Sequence, residues 1–399
     1  MAISWRELLL GYPYFQHKRL IAESKTWSRD EVVIYNESIL SKYSESPVTQ
    51  KEDYNKNPKL YRNPGLKILS REVTTGGSSG TPFRFQRDFI YASQKERAYL
   101  FDIWSDVGYK PYDLRVIYRG NTSNSSQLIT YQKLENCYII DPRLLNQNNK
   151  NEVVEFLKKL PPFFLFVYPS SLMTLINLVG EKQFSKFPIT AILASSEAFP
   201  KAHFQYVHRD LSIPVAYHYG HSEYVVMAKY SISADRYFFY PTYGGIEFLP
   251  TDEKDIYKII GTSNNKLGTI FKRYDTKDLC LIEDNSNHVQ SNFLTVNAII
   301  GREQEYFYDR EGAPNPFIAY FFAIHNEFWN HFETIQFIQN KNGELEVLVV
   351  NPTNDNIYKT LTERFSSKVD LIFRVVPKIE KTALGKHRYF VQNIANPVL

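Results

Sequence analysis

Cysteine is scarce. The two present, Cys137 and Cys280, lie far apart without CxxC spacing, which excludes a disulfide framework and a cysteine-rich zinc site and leaves two buried, reduced thiols. Charge of one sign is missing as well. Lys and Arg total 47 against 43 Asp and Glu, a net +4, and no basic cluster is interleaved with aromatics, so neither nucleic acid nor an anionic membrane is an expected partner. No uncharged apolar run approaches about 18 residues, and the opening MAISWRELLLGYPYF lacks the basic start and long apolar core of a leader. No membrane span is expected, and the chain reads as cytoplasmic. No internal repeat is visible. Tyr and Phe, at 29 and 28, are abundant, and Asn and Lys favour the loops, but this composition indicates no particular chemistry.

The 399 residues suffice for one large and one small folding unit. Apolar residues recur at helical spacing over 152–160, and FFLFVY (163–168) is a continuous apolar run suited to a buried strand. SSLMTLINLV then predicts a helix opened by a serine cap. Strand ITAIL, a helix over 201–209 and strand IPVAY continue the alternation, which implies a parallel, doubly wound α/β sheet. Ligands of such sheets bind beyond the carboxyl ends of the strands, which singles out 195–197 and 219–223. Past Val225 the texture becomes short alternating segments (AKYSIS, YFFYPTY, GIEFLP, IYKIIGT, GTIFKRYD), as in an antiparallel sheet or small barrel. The last ninety or so residues predict a compact α+β unit: a hairpin turning at Asn342-Gly343, a helix over 358–366 and a strand, DLIFRVV. Polar breaks fall at 121–127, 284–291 and 309–315. Placing the hinge at the last gives an N-terminal domain, 1–308, and a small C-terminal lid, 309–399. The first seventy residues read only as a helical, aromatic-rich lead-in.

The densest chemical signal is TTGGSSGTP (74–82). Glycines allow close backbone approach to an anion, successive amides form a concave nest, and the hydroxyls can complete a shell around phosphate or Mg²⁺. A common P-loop is excluded, because Gly80 is followed by Thr81 and Pro82 rather than Lys and Ser/Thr.

Five motifs follow in a fixed order: TTGGSSGTP, ASSEAF from Ala194, YGHSE from Tyr219, RYDTKDL from Arg273 with IIGREQEYF from Ile299, and KTALGKHR from Lys381. Together they resemble the adenylate-forming superfamily of acyl-CoA ligases. Within it they are similar to the phenylacetate-CoA ligase branch, nearest the adenylating proteins of capsular polysaccharide biosynthesis. The resemblance runs from about Thr74 to the C-terminus, and it implies an ATP- and acyl-binding domain followed by a mobile lid.

Through that resemblance Ser78, Ser79, Gly80 and Thr81 are expected to cradle the ATP phosphates. Ser195, Ser196 and Glu197 would line the adenine pocket. Tyr219 would stack on adenine, Gly220 would allow close approach, and Glu223 would offer oxygen to Mg²⁺. His221, with Tyr219, falls near the acyl pocket. Asp278 would hold the ribose hydroxyls, Arg302 would contact ribose or phosphate, and Lys386 would neutralise charge on the α-phosphate and the attacking carboxylate.

Two positions depart from the pattern. Thr81 stands where many relatives have lysine, which shifts the cationic role to Arg84 or Arg87, and Lys277 replaces the usual glycine. The implied reaction is attack of a carboxylic acid on MgATP to give acyl-AMP and pyrophosphate, then transfer to CoA as co-substrate or to an amine. The alternatives are an acyl-protein synthetase and a pseudoenzyme that serves as a binding partner in a biosynthetic complex.

Overall fold

The computed structural model describes residues 5–63, 70–75, 83–119, 127–197, 199–264, 268–283, 294–302, 306–312, 314–317, 321, 331–382 and 387–394. The chain forms two compact units. The first comprises residues 1–113 and 216–300, the second 114–215 and 301–399.

In the first unit the lead-in is structural. Helix Arg29–Leu40 starts at a capping box in which Ser28 Oγ accepts from Glu31 N and Glu31 Oε2 accepts from Ser28 N. From the same helix, buried Asn36 both donates to Ile246 O (2.9 Å) and accepts from Ile246 N (2.8 Å), pinning strand Gly244–Pro250. Tyr54 packs in a core with Phe83, Phe85, Val225, Phe271 and Tyr274, and its hydroxyl accepts from Lys272 N at 2.9 Å. The N-terminal segment is thus part of this unit's core, which its sequence texture did not reveal.

Strands Ser70–Thr75 and Phe83–Asp88 pair antiparallel up to Thr75↔Phe83, and the loop between them lies outside the described residues. Val215–Gly220, Met227–Ser231, Arg236–Phe239 and Leu294–Val296 form an antiparallel ladder. Gly244–Pro250, Ile256–Ser263, Tyr274–Leu281 and Ala298–Arg302 form a second sheet, the antiparallel part expected beyond Val225. Two glycines let Val225 seat against that sheet. A Cβ at Gly244 would stand 2.0 Å from Val225 O, and one at Gly261 would stand 2.5 Å from a Val225 methyl.

The second unit holds the parallel sheet. Its strands run in the order Ile189–Ser195, Phe163–Val167, Arg115–Tyr118, Cys137–Ile140 and Ile129–Gln132, with only the last antiparallel to its neighbour. The apolar run at 163 is buried as its pattern requires. Helix Lys150–Lys159 buries Val153, Val154 and Leu157.

The next helix, Pro169–Val179, departs from expectation at its start. Pro169 occupies its first turn, Tyr168 takes the cap position without a side-chain bond, and no serine caps it. Strand IPVAY is shifted to Val215–Gly220, and the helix at Lys201–Gln205 continues as a wider turn, Tyr206–Asp210.

The C-terminal α+β part of this unit is a four-stranded sheet in the order Asp370–Val375, Glu344–Val350, Thr334–Lys341, Phe390–Gln392. Helix Asn356–Phe365 buries Ile357, Leu361 and Phe365, spaced four residues apart, against Phe337, Leu345 and Val347. The described part of the segment 309–315 adjoins the antiparallel pair of short strands Tyr306–Tyr308 and Pro314–Pro316. It is fastened to this part of the unit: Arg310 N donates to Lys368 O (3.1 Å), its guanidinium reaches Asp370 (2.8 Å), and buried Asn315 donates to Asp309 (3.0 Å).

Candidate functional site

Two groups of site residues are described, one in each unit. In the first unit, Tyr219 and Gly220 end strand Val215–Gly220, and the loop 221–226 leads into Met227–Ser231. The Tyr219 hydroxyl donates to Asp278 Oδ2 at 2.6 Å, joining two residues 59 positions apart. The expected stacking ring and the expected ribose carboxylate therefore form one element. Gly220 is not required by internal packing: an added Cβ would meet Met227 Cε at 3.7 Å and Val226 O at 3.8 Å, ordinary contacts.

Glu223, partly exposed, accepts from Tyr274 Oη at 3.3 Å. His221 stands edge-on to Tyr219, and both of its ring nitrogens are covered yet without hydrogen-bond partners among the described residues.

Of the two arginines expected to compensate for Thr81, Arg87 reaches this loop. Its guanidinium lies 4.1 Å from the Tyr224 ring centroid and donates to Ser222 O. Arg84 is exposed and sits 3.8 Å from Glu72 instead. Helix Tyr91–Ser105 contributes buried Lys95 and half-buried Glu96, which no motif announced. Lys95 Nζ donates to Tyr243 O at 2.5 Å and Glu96 accepts from the Tyr243 hydroxyl; burial pushes the lysine down to about 7 and the glutamic acid up to about 7.

Lys277 lies within strand Tyr274–Leu281, at the position where the resembled motif has glycine, and it stands at φ +62°, a left-handed conformation that glycine adopts freely. Asp275 holds it there: Oδ1 accepts from Lys277 N at 2.8 Å and Oδ2 pairs with Nζ at 3.0 Å. The left-handed conformation is thus held with a lysine in it.

In the second unit, Ser195 and Ser196 end strand Ile189–Ser195, Ser195 being buried and Ser196 lying at φ +72°. Glu197 follows, and its two oxygens accept from Ser170 N (3.0 Å) and His387 N (2.7 Å). It thereby caps the helix that begins at Pro169, supplying from another strand the acceptor that no local serine provides. Burial raises its pKa, against the two backbone donors and Lys381, while Lys381 is lowered by its own burial. His387, buried, donates from Nε2 to Ile335 O (2.9 Å) and is pushed down to about 4 by desolvation.

Arg119, which carried no motif, follows strand Arg115–Tyr118 and donates to Ser195 Oγ (3.2 Å) and Ser196 Oγ (3.3 Å). Only its position after a parallel strand could have drawn attention to it. Ser78, Ser79, Gly80, Thr81 and Lys386 lie outside the described residues. Arg302 ends strand Ala298–Arg302, and its side chain also lies outside them.

No helix among the described residues is long and apolar enough to cross a membrane. Residues 318–393 match the CapK C-terminal domain family. No curated protein sequence matches the chain. A 2-hydroxyisobutyryl-CoA ligase in the postadenylation state with R3-HIB-AMP superposes with TM-score 0.65 at 12% identity, covering 96% of this chain and 89% of that one. The same type of ligase with 2-HIB-AMP gives 0.62 at 14% identity with the same coverage. At such identities the likeness is one of fold. The chain accordingly shares the fold of these CoA ligases, and its residues 318–393 match the CapK C-terminal domain.

Proposed function

We propose that this protein activates a carboxylic acid with ATP, forming acyl-AMP and releasing pyrophosphate, and then passes the acyl group to CoA or to an amine. The observation that carries this reading is the Tyr219–Asp278 pair. An aromatic face and a carboxylate able to accept from a diol are preassembled at 2.6 Å, on two strands of one unit, as a nucleoside requires.

In the first step a carboxylate oxygen attacks the α-phosphorus and the bond to the β-phosphate oxygen breaks, with the electron pair leaving on pyrophosphate. In the second, a thiol or amine attacks the acyl carbon, the C–O bond to AMP breaks, and the nucleophile loses its proton. Neither step needs a protein nucleophile, so the chain's work is placement and charge neutralisation. Tyr219 and Asp278 hold the nucleoside, Gly220 leaves the backbone open to it, and Ser196 and Glu197 contribute the adenine side. The 78–81 loop takes the phosphates with Arg87. Arg302 contacts ribose or phosphate, and Lys386 meets the charge that develops on attack. His221, whose two ring nitrogens have no partner among the described residues, faces the acyl group.

Mg²⁺ fits as a companion of ATP rather than a resident ion. Among the described residues no three His, Cys, Asp or Glu side chains cluster to hold a metal, and magnesium on nucleotides is commonly held by one or two carboxylates plus phosphate, which Glu223 can supply. When bound it would neutralise phosphate charge. The division at 308/309 belongs to the same reading, with the lid carrying Lys386 closing for adenylation.

The test is a pyrophosphate-exchange screen over aryl, hydroxy and fatty acids with MgATP, repeated with CoA and with amines. Exchange that depends on one acid class, and that is lost in Lys386→Ala while ATP still binds, is the expected result. ATP that fails to bind at all would overturn the reading.

A further inference from the structure

The second unit contains a cation that the roles above do not use. Tyr118, Val167 and Ala194 lie in one row across three neighbouring parallel strands. The residues one step beyond that row, Arg119, Tyr168 and Ser195, consequently emerge together at the carboxyl edge of the sheet, where ligands of parallel sheets bind.

The Arg119 guanidinium carbon lies 4.2 Å from the Phe166 ring centroid and 4.4 Å from that of Tyr168. Both rings fix its plane, while Ser195 and Ser196 take one hydrogen bond each. Ser196 does this from a left-handed backbone conformation, a costly geometry that concentrates at binding sites. Among the described residues no carboxylate lies within 4 Å of this guanidinium, and the segment that follows, 120–126, has no acidic side chain. A permanent charge is thus oriented, hydroxyl-buttressed and, among the described residues, uncompensated. Two of its five N–H donors are used among the described residues, which leaves three for a ligand.

We propose that Arg119 reads a second anionic group on the acid substrate, so that the enzyme's substrates are acids carrying a further carboxylate or phosphate besides the carboxylate that is activated. This rests on the adenylation reading. Within it, the ATP phosphates are assigned to the 78–81 loop and the reacting carboxylate to Lys386, and adenine carries no charge. CoA and its phosphates enter only for the second step, so an anion held by Arg119 during adenylation is one carried by the far part of the acid, whose paired oxygens suit a guanidinium fork.

The experiment compares pyrophosphate exchange for matched pairs of acids, one ending in methyl, its partners ending in carboxylate or phosphate, in the wild type, Arg119→Gln and Arg119→Lys. The expected wild-type preference for one dianionic series is at least tenfold in kcat/KM, and the carboxylate and phosphate arms show which. Arg119→Gln should abolish that preference with the dissociation constant of ATP unchanged, and Arg119→Lys should keep part of it. Circular dichroism establishes folding, and Arg119→Lys decides the matter if Arg119→Gln is unfolded. Equal losses on both members of a pair, a weakened ATP complex, or an effect confined to the KM for CoA would each overturn the assignment.

If the wild type exchanges pyrophosphate with no acid, the adenylation reading fails by itself. Calorimetric titration of the same dianionic acids then decides for Arg119. Binding lost in Arg119→Gln keeps the anion site, and its absence ends the proposal.

Discussion

The Tyr219 hydroxyl donates to Asp278 Oδ2 at 2.6 Å, so the orientation of the ring and the charge distribution of the carboxylate are set by each other. A nucleoside entering this pair would meet a ring that cannot tilt freely and a carboxylate with one oxygen already engaged. Tyr219→Phe keeps the stacking face and frees the carboxylate. Since a hydrogen bond to a charged group is worth about 1.5–3 kcal/mol, a loss of roughly tenfold in ATP affinity is expected. Asp278→Ala should cost more, because the diol loses its acceptor as well. Titration of a fluorescent ATP analogue measures both; equal affinity in Tyr219→Phe and the wild type would separate the pair from nucleotide binding.

Lys277 bears a conformational cost that a glycine would not. Left-handed backbone in a residue with a side chain costs on the order of 1 kcal/mol, offset here in part by the 3.0 Å contact with Asp275. Lys277→Gly should therefore leave stability in urea unchanged or raise it by up to about 1 kcal/mol. Lys277→Val, β-branched at positive φ, should lower it by more than that. Stabilisation by valine would contradict the geometry.

Glu197 joins parts of the second unit 190 residues apart through His387 N, and caps a helix through Ser170 N. Glu197→Ala would leave two buried donors unmet at about 1–3 kcal/mol each. Amide exchange at Ser170 and His387 should accelerate together in Glu197→Ala and less in Glu197→Gln, which retains one acceptor. Acceleration at only one of the two amides would show that the carboxylate does not bridge them.

His387 makes the second unit sensitive to acid. Its ordinary pKa of 6.5 falls to about 4 in the fold because burial, and then Lys381, disfavours the imidazolium, against the bond from Nε2–H to Ile335 O, which favours it. A depressed folded-state pKa means the associated stability is whole above pH 6.5. It is lost as pH falls toward 4, because the unfolded chain binds a proton the folded one refuses. The limit is about 3 kcal/mol. His17, lowered to about 3 mainly by burial in the first unit, acts in the same direction, whereas Glu96, raised to about 7, acts oppositely. The wild-type stability minus that of His387→Gln isolates the term. That difference should shrink between pH 7 and pH 4, and a difference flat in pH would exclude a neutral buried His387.

What could be read before any coordinates was whatever depends on neighbours along the chain. The apolar run at 163–168 had to be a buried strand, the helix expected over 358–366 is found at Asn356–Phe365, and the order of motifs carried the fold. Those signals are local, since hydrophobic period and turn chemistry act over a few residues.

Strand order and register decided the rest. Tyr219 meets Asp278 because two strands of the first unit carry them to the same place. Arg119 stands beside Ser195 and Ser196 because three parallel strands end in one row. The cap of the helix at Pro169 comes from Glu197, and the left-handed backbone at Lys277 is held by Asp275. Each of these is a contact between residues that only a completed sheet or turn brings within hydrogen-bonding distance, and no periodicity in the sequence encodes it.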